Sequence, residues 1–341
     1  MPDFYPECAE VCLASINIQD TSFSLRPESD LFPDQNLLEN IQETGLLHPP
    51  LLLHHEQQKH SILSGRKRIL AANQLGWRTL PCLLLQQHTP NLLKWKTTLN
   101  HALIGSQLSC IEQATLFHKA AQELDPDALL SLLPMLGYKK SIRVLETFAR
   151  ALTLCPSLQN ALHRRVVHEK HIDLLATFAR RDQETITRLI ERYQLGGSKQ
   201  RNLLLACLEL CRRQNCSVAD IMEEWQQAHQ QMGEQEDTSH RQQKNTVLGL
   251  HEKKKDRKEN KPQQITDLFA WLSHRLYPRL HGAEQEFRSF VHEMQLPESC
   301  SLLPTPHFED EELSLTVRFS DQECFRRQWQ AIRQVLENSR E

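Results

Sequence analysis

Polar and apolar positions recur with two different periods along the chain, and the changes of period mark its elements. In DQNLLENIQET (34–44), Leu37, Leu38 and Ile41 fall on one helical stripe, and Gly45 follows as a left-handed stop. PPLLLHH (49–55) and HSIL (60–63) flank the polar turn HEQQK and read as two short strands. RKRILAANQLG (66–76) then reads as a helix ending at Gly76, and LPCLLLQ (80–86) as a third strand. A β-turn-β-α-β unit preceded by a helix forms a compact α/β domain over roughly 15–90. From about residue 109 the period is helical. Ser109 and Glu112 have the spacing of a capping box, in which hydroxyl and carboxylate satisfy each other's free backbone donors. Pro126, Gly137, Pro156 and the pair Gly196–Gly197 punctuate four or five helices between 110 and 230.

Residues 230–264 break the pattern. They hold few apolar residues, charges of both signs and the run KKKDRK, too little apolar surface to offset chain entropy, and this predicts a mobile linker. Beyond it ITDLFAWLSHRLYPRL is amphipathic, a second helix covers about 282–294, ELSLTVRF alternates as one strand, and DQECFRRQWQAIRQVLEN is a final helix. The predicted fold class is α+β and mostly helical. It comprises a small α/β domain at 1–100, an all-α domain at 101–229, the charged linker at 230–264 and a small α+β domain at 265–341.

Among 341 residues no apolar run approaches the roughly 20 that a membrane helix needs. The first 20 residues lack the basic start and apolar core of a signal peptide. A cytoplasmic protein with no membrane partner is expected. Cys8-x3-Cys12 and Cys207-x3-Cys211-x4-Cys216 contain no CxxC pair and read as reduced thiols, so no metal is predicted. His54, His55 and His60 flank the hairpin turn, where solvated side chains are a commoner cause than a metal site. The net charge of −3 hides an asymmetry: residues 1–50 carry one Arg against nine acids, whereas 51–213 sum to about +11. A basic middle suits a polyanionic partner.

The strand leading into Ser64 and Gly65 and a helix opening with Arg66, Lys67 and Arg68 form a candidate anion cradle. Helix N-termini offer free N–H groups and a positive dipole end, Gly65 permits close backbone approach, and three cations surround that point. The plainer alternative is a capped helix with a solvated basic first turn.

Gly45-Leu46-Leu47-His48-Pro49-Pro50-Leu51, Gly65-Arg66-Lys67-Arg68-Ile69-Leu70-Ala71-Ala72 and Gly76-Trp77-Arg78-Thr79-Leu80-Pro81-Cys82 follow one another in order. Together they resemble the ParB/sulfiredoxin-like N-terminal domain of the ParB chromosome and plasmid partition family. Asn100 and Ile111-Glu112-Gln113-Ala114 are similar to that family's EN-x-QR and IEEA segments. The resemblance implies CTP as ligand, at a nucleotide or phosphate site comprising Ser64, Gly65, Arg66, Lys67, Arg68, Asn100 and Glu112. Arg66 stands where the family has Glu, Leu70 where it has Arg, and Leu99 precedes Asn100. These departures remove carboxylates expected to support Mg²⁺ and imply a degenerate pocket without metal-dependent hydrolysis. With Arg66 in place of the catalytic cysteine, sulfiredoxin chemistry is excluded.

The resemblance continues through LLSLLPMLGYKKSIRVLETFARALTLCP, similar to the family's helix-turn-helix. Ile142, Leu145, Phe148 and Leu152 are expected as its buried stripe, and Lys139, Lys140, Ser141, Arg143, Thr147 and Arg150 as its contacts to double-stranded DNA. Pro134 interrupts the first helix, and Glu146 is an acid on the DNA side. The expected protein is a divergent, nucleoid-associated ParB-like DNA-binding protein in a partition or regulatory role. It is expected to dimerise through its C-terminal domain, where Leu268, Phe269, Trp271, Leu272, Trp329, Ile332 and Leu336 supply either an interface or that domain's own core. Two other classes compete. One is a nucleotide-handling kinase or nuclease using Glu39, Glu43 or Glu112, and the other an adaptor that has lost both ligands.

Overall fold

The computed structural model describes residues 5–26, 30–56, 59–105, 107–228, 261–297, 299–305 and 312–338. The chain divides into two compact units, Met1–Leu204 with Ser217–Ala219 and Leu205–Cys216 with Asp220–Glu341.

The first unit begins with a four-stranded mixed sheet of β1 (Glu7–Cys12), β2 (Leu51–Leu53), β3 (Ser61–Ser64) and β4 (Thr79–Leu85), in the order β1-β4-β2-β3. β4 runs antiparallel to β1 and parallel to β2, and β2 and β3 form an antiparallel pair. The unbroken apolar runs LLL and LPCLLL suit the two interior strands, and Leu51, Leu52, Leu80, Cys82 and Leu85 are wholly buried. The predicted β-turn-β-α-β unit is present, with α1 (Gln35–Thr44) before it and α2 (Arg66–Gln74) inside it. Asp34 caps α1 by accepting from the Leu37 N–H at 2.8 Å. Strand β1 was not foreseen, because only Val11 of ECAEVC is buried and its partner lies about seventy residues later. Val11, Ile16, Leu52, Ile62, Ile69, Ala72, Leu80 and Cys82 form the core between sheet and α2.

Helices α3 (Asn91–Gly105), α4 (Cys110–Ala120), α5 (Pro126–Leu130), α6 (Ile142–Thr153), α7 (Pro156–His163), α8 (Ile172–Leu175), α9 (Arg180–Tyr193) and α10 (Gly197–Gln214) follow, with α11 at 218–228. This exceeds the four or five helices expected. Pro126 and Pro156 each restart a helix, and Arg165 and Gln194 take left-handed φ values of 59° and 49° that break the chain again. The capping box at α4 is formed: the Glu112 N–H donates to Ser109 Oγ at 3.2 Å, and the Ser109 N–H donates to Glu112 Oε2 at 2.7 Å. Pro134 lies in a 3₁₀ turn, Leu133–Leu136, that ends at Gly137.

The second unit contains α12 (Lys261–Leu276), α13 (Pro278–Glu293), a hairpin of β5 (Cys300–Pro304) and β6 (Leu313–Val317), and α14 (Gln322–Asn338). Helix α12 starts inside the segment expected to be a linker, and the remainder of that segment, 230–260, lies outside the described residues. Strand β5 was missed. Leu268, Leu272 and Ile332 are buried and belong to this unit's core, whereas Trp329 is 54% exposed. Phe269 and Trp271 are half-buried, and the Leu336 side chain lies outside the described residues. Among the described residues no helix is long and apolar enough to cross a membrane.

Candidate functional site

Strand β3 delivers Ser64 and Gly65 to the start of α2, where Gly65 takes φ 94° and ψ 19°. A Cβ there would come within 2.9 Å of Pro50 Cβ, so only glycine lets the β3–α2 turn lie against the β2 entrance. The turn opens on a cavity of about 550 Å³, a size that suits a nucleotide. Leu25, Leu37, Ile41, Ile104 and Leu108 contribute apolar lining, and Ser64 through Arg68 line it as well.

The three cations of the cradle come with partners. Arg66 donates through Nη1 to the Asp20 carbonyl at 2.7 Å and through Nη2 to the Ile18 carbonyl, pinning the chain after β1 to the start of α2. Its buried Nε finds no acceptor among the described residues. Lys67 is paired with Asp30, and Arg68 donates to the His48 carbonyl. Burial, aided by Arg26, lowers the pKa of Arg68.

Asp30 is the hub of this network. Arg26 Nη1 lies 2.9 Å from its Oδ2 and His163 Nε2 lies 3.5 Å from the same oxygen. Burial works to raise its pKa, but Lys67, Arg26 and His163 outweigh that and hold the carboxyl below the usual 3.8. Arg26 Nε also reaches Glu112 Oε1 at 3.3 Å, so one guanidinium bridges the two carboxylates nearest the cradle. Ser109 Oγ joins the network 2.8 Å from His163 Nδ1.

The sequence-selected residues therefore divide. Ser64, Gly65, Arg66, Lys67, Arg68 and Glu112 line the cavity together. Asn100 does not: it is exposed on α3, and the next residue, His101, lines the cavity instead, with Nε2 2.9 Å from the Pro49 carbonyl. Burial lowers the His101 pKa, with Arg68 and His48 adding to the effect against the Pro49 bond. Arg26, Asp30, His101 and His163 were missed by motif reasoning. Arg26 alone carried a usable signal, as the one basic residue among the first fifty. Glu39 and Glu43 are exposed and do not line the cavity. The hairpin histidines do cluster, with the His54 and His60 rings 5.0 Å apart. Among the described residues no group of three His, Cys, Asp or Glu side chains is arranged to hold a metal.

The second candidate surface lies in the helical part of the same unit. Helix α6 turns Phe148 and Ala151 inward, and the Phe148 ring stacks 5.3 Å from Phe117 of α4 and meets Tyr138 edge-on at 5.7 Å. The expected buried stripe fails at one end, because Ile142 is 66% exposed. At about 100° per residue Ile142 points some 120° away from Phe148, and the inward face instead runs through Val144, Phe148 and Ala151. Lys139, Lys140 and Arg143 are exposed and form no ion pair among the described residues. Ser141 precedes the helix half-buried and makes no side-chain cap. Thr147 donates to the Arg143 carbonyl at 3.1 Å. Arg150 is held by Asp173 of α8 at 2.6 Å and by Glu146 at 3.5 Å.

A model of the ParB N-terminal domain family matches residues 10–101. The nucleoid occlusion protein of Bacillus cereus strain AH187 is 26% identical over 167 residues, covering 49% of this chain and 55% of that protein. The chain thus spans about half the length of the curated relatives it matches. Two solved structures also align, both of C-terminally truncated ParB from Caulobacter crescentus. The complex with CTP-γ-S gives 18% identity and a TM-score of 0.24, covering 54% of this chain and 98% of that one. The complex with the centromeric parS site gives 19% identity and a TM-score of 0.26, covering 57% and 97%.

Proposed function

This chain is a ParB-like protein by its N-terminal domain, and we propose that it binds double-stranded DNA in a partition or nucleoid-associated role. The observation that carries the proposal is the arrangement of α6. One face is turned inward, with Phe148 stacked on Phe117 of α4 and Ala151 buried, while the entrance presents Lys139, Lys140 and Arg143 to solvent without ion-pair partners among the described residues. A helix anchored on one side and cationic at its free N-terminal end suits the second helix of a helix-turn-helix, with α5 and the 3₁₀ turn as the first element and Gly137, φ 83°, as the turn. Arg150, tied to Asp173 and Glu146, serves to brace α6 against α8.

The cavity at Gly65 is read as a weakened nucleotide or phosphate site. Its volume suits CTP, and Lys67, Arg68 and the α2 N–H groups are the donors that would hold a phosphate. Lys67 already holds Asp30, and Arg26 occupies the space between the Asp30 and Glu112 carboxylates that a divalent cation would need. A phosphate must displace Asp30 from Lys67, which costs affinity.

Salt dependence tests the DNA proposal. Log affinity for duplex DNA falls with log salt by about 0.9 per phosphate neutralised, so Lys139→Ala, Lys140→Ala and Arg143→Ala combined should make the slope shallower by roughly two to three units. A wild-type protein with no salt-dependent affinity for any duplex from its genome would overturn the proposal and favour an adaptor.

A further inference from the structure

On the premise that α6 engages duplex DNA, we propose that Ile142 reads the 5-methyl group of a thymine in the major groove. A lone exposed isoleucine is ordinary on a protein surface. This one is the first residue of α6, 66% exposed, and follows directly on Lys139, Lys140 and Ser141, with Arg143 after it. Those cations can hold phosphates on either side of a groove, but phosphate contacts carry no sequence information. The exposed residues of α6 are Ile142, Arg143, Glu146, Ala149, Arg150 and Thr153; Arg150 is engaged by Glu146 and Asp173, and Arg143 lies about 100° around the helix from Ile142, where it can reach the phosphates that flank the groove. Ile142, in the first turn, carries a branched aliphatic side chain. Residues at the N-terminal end of a recognition helix reach base edges, and the feature of the major groove that an aliphatic side chain can recognise is the thymine methyl.

The placement is independent of the domain's own packing. Phe148 stacks on Phe117 of α4 and Ala151 is buried, and Ile142 lies on the other side of the helix axis, so its apolar surface is spared for a ligand. The flanking charge favours DNA over an apolar protein groove as the occupant, since three cations that form no ion pair among the described residues would be desolvated there without acceptors.

The test uses the full chain and a duplex selected by the wild-type protein from a random pool. Each thymine in the selected site is replaced singly by deoxyuridine, which removes only the methyl group. The wild type should weaken by about three- to fivefold at one position, the value of one buried methyl, and remain unchanged elsewhere. Ile142→Ala should bind thymine and deoxyuridine equally at that position, while Ile142→Val should retain the preference. Sensitivity that persists in Ile142→Ala, or that is absent at every thymine although the duplex is bound, overturns the inference and leaves DNA binding intact. If no duplex is enriched from the pool, the DNA proposal falls and this inference with it.

Discussion

Replacing Gly65 by alanine probes the one backbone position on which both the cradle and the sheet depend. Gly65 has φ 94°, a left-handed conformation that costs an L-residue about 1–2 kcal/mol. A Cβ built there lies 2.9 Å from Pro50 Cβ and 3.0 Å from Pro50 Cα. Pro50 cannot retreat, because it is buried and its carbonyl accepts the Leu83 N–H at 2.8 Å, tying it to β4. Relief of this overlap adds about 1–3 kcal/mol, as for other overpacked sites. Gly76 supplies the control: its φ is 75° but nothing lies within 4 Å of the added Cβ, so Gly76→Ala should show only the conformational part. Amide hydrogen exchange of peptides from β3 and β4 across a urea series reads this unit alone. For a urea dependence of about 1–3 kcal/mol per molar, the Gly65→Ala midpoint should fall by roughly 1 M or more, and below that of Gly76→Ala. Coincident midpoints for the two variants would refute the steric argument.

Acid sensitivity should follow His101. Burial disfavours its charged form, so its folded pKa lies below the ordinary 6.5. Its contribution is complete above the unfolded value and is lost as pH falls through 6.5 towards the folded value. His101→Gln keeps a donor for the Pro49 carbonyl and cannot titrate, so its stability profile should be flatter over that range than the wild type's. Some slope should remain, because burial depresses His60 and His171 in the same direction, and superimposable profiles would remove His101 as a cause. In the second unit, Phe319, Phe325 and Trp329 form an exposed aromatic row, and this row is expected to pair with a second copy of the chain. Trp329→Arg should then shift the mass in sedimentation equilibrium from dimer to monomer, and a wild-type protein already monomeric at high micromolar concentration would exclude the pairing.

Much of the molecule was legible because it is built from contacts within four or five residues. The Ser109–Glu112 capping box, the stops at Gly45 and Gly76, and the β2–β3–α2–β4 order are local consequences of residue type, and the structure contains each of them. The ordered motifs around Gly65 likewise pointed to the ParB N-terminal domain that the family comparison identifies. Tertiary structure decided the rest. Strand β1 exists because β4 offers it an edge about seventy residues away, a pairing that its mostly exposed ECAEVC pattern does not advertise. Arg66, Lys67 and Arg68 could be read as ligand-facing cations until folding brought the Ile18 and Asp20 carbonyls, Asp30 and the His48 carbonyl up to them across 20 to 48 positions of sequence. Helical periodicity in α6 allowed more than one apolar stripe, and the choice fell to the aromatic stack of Phe117 on Phe148, which turned Ile142 outward. Residue type and local spacing determine which element forms, whereas the partner that satisfies a long, flexible, charged side chain is chosen only when distant segments compete for it in three dimensions.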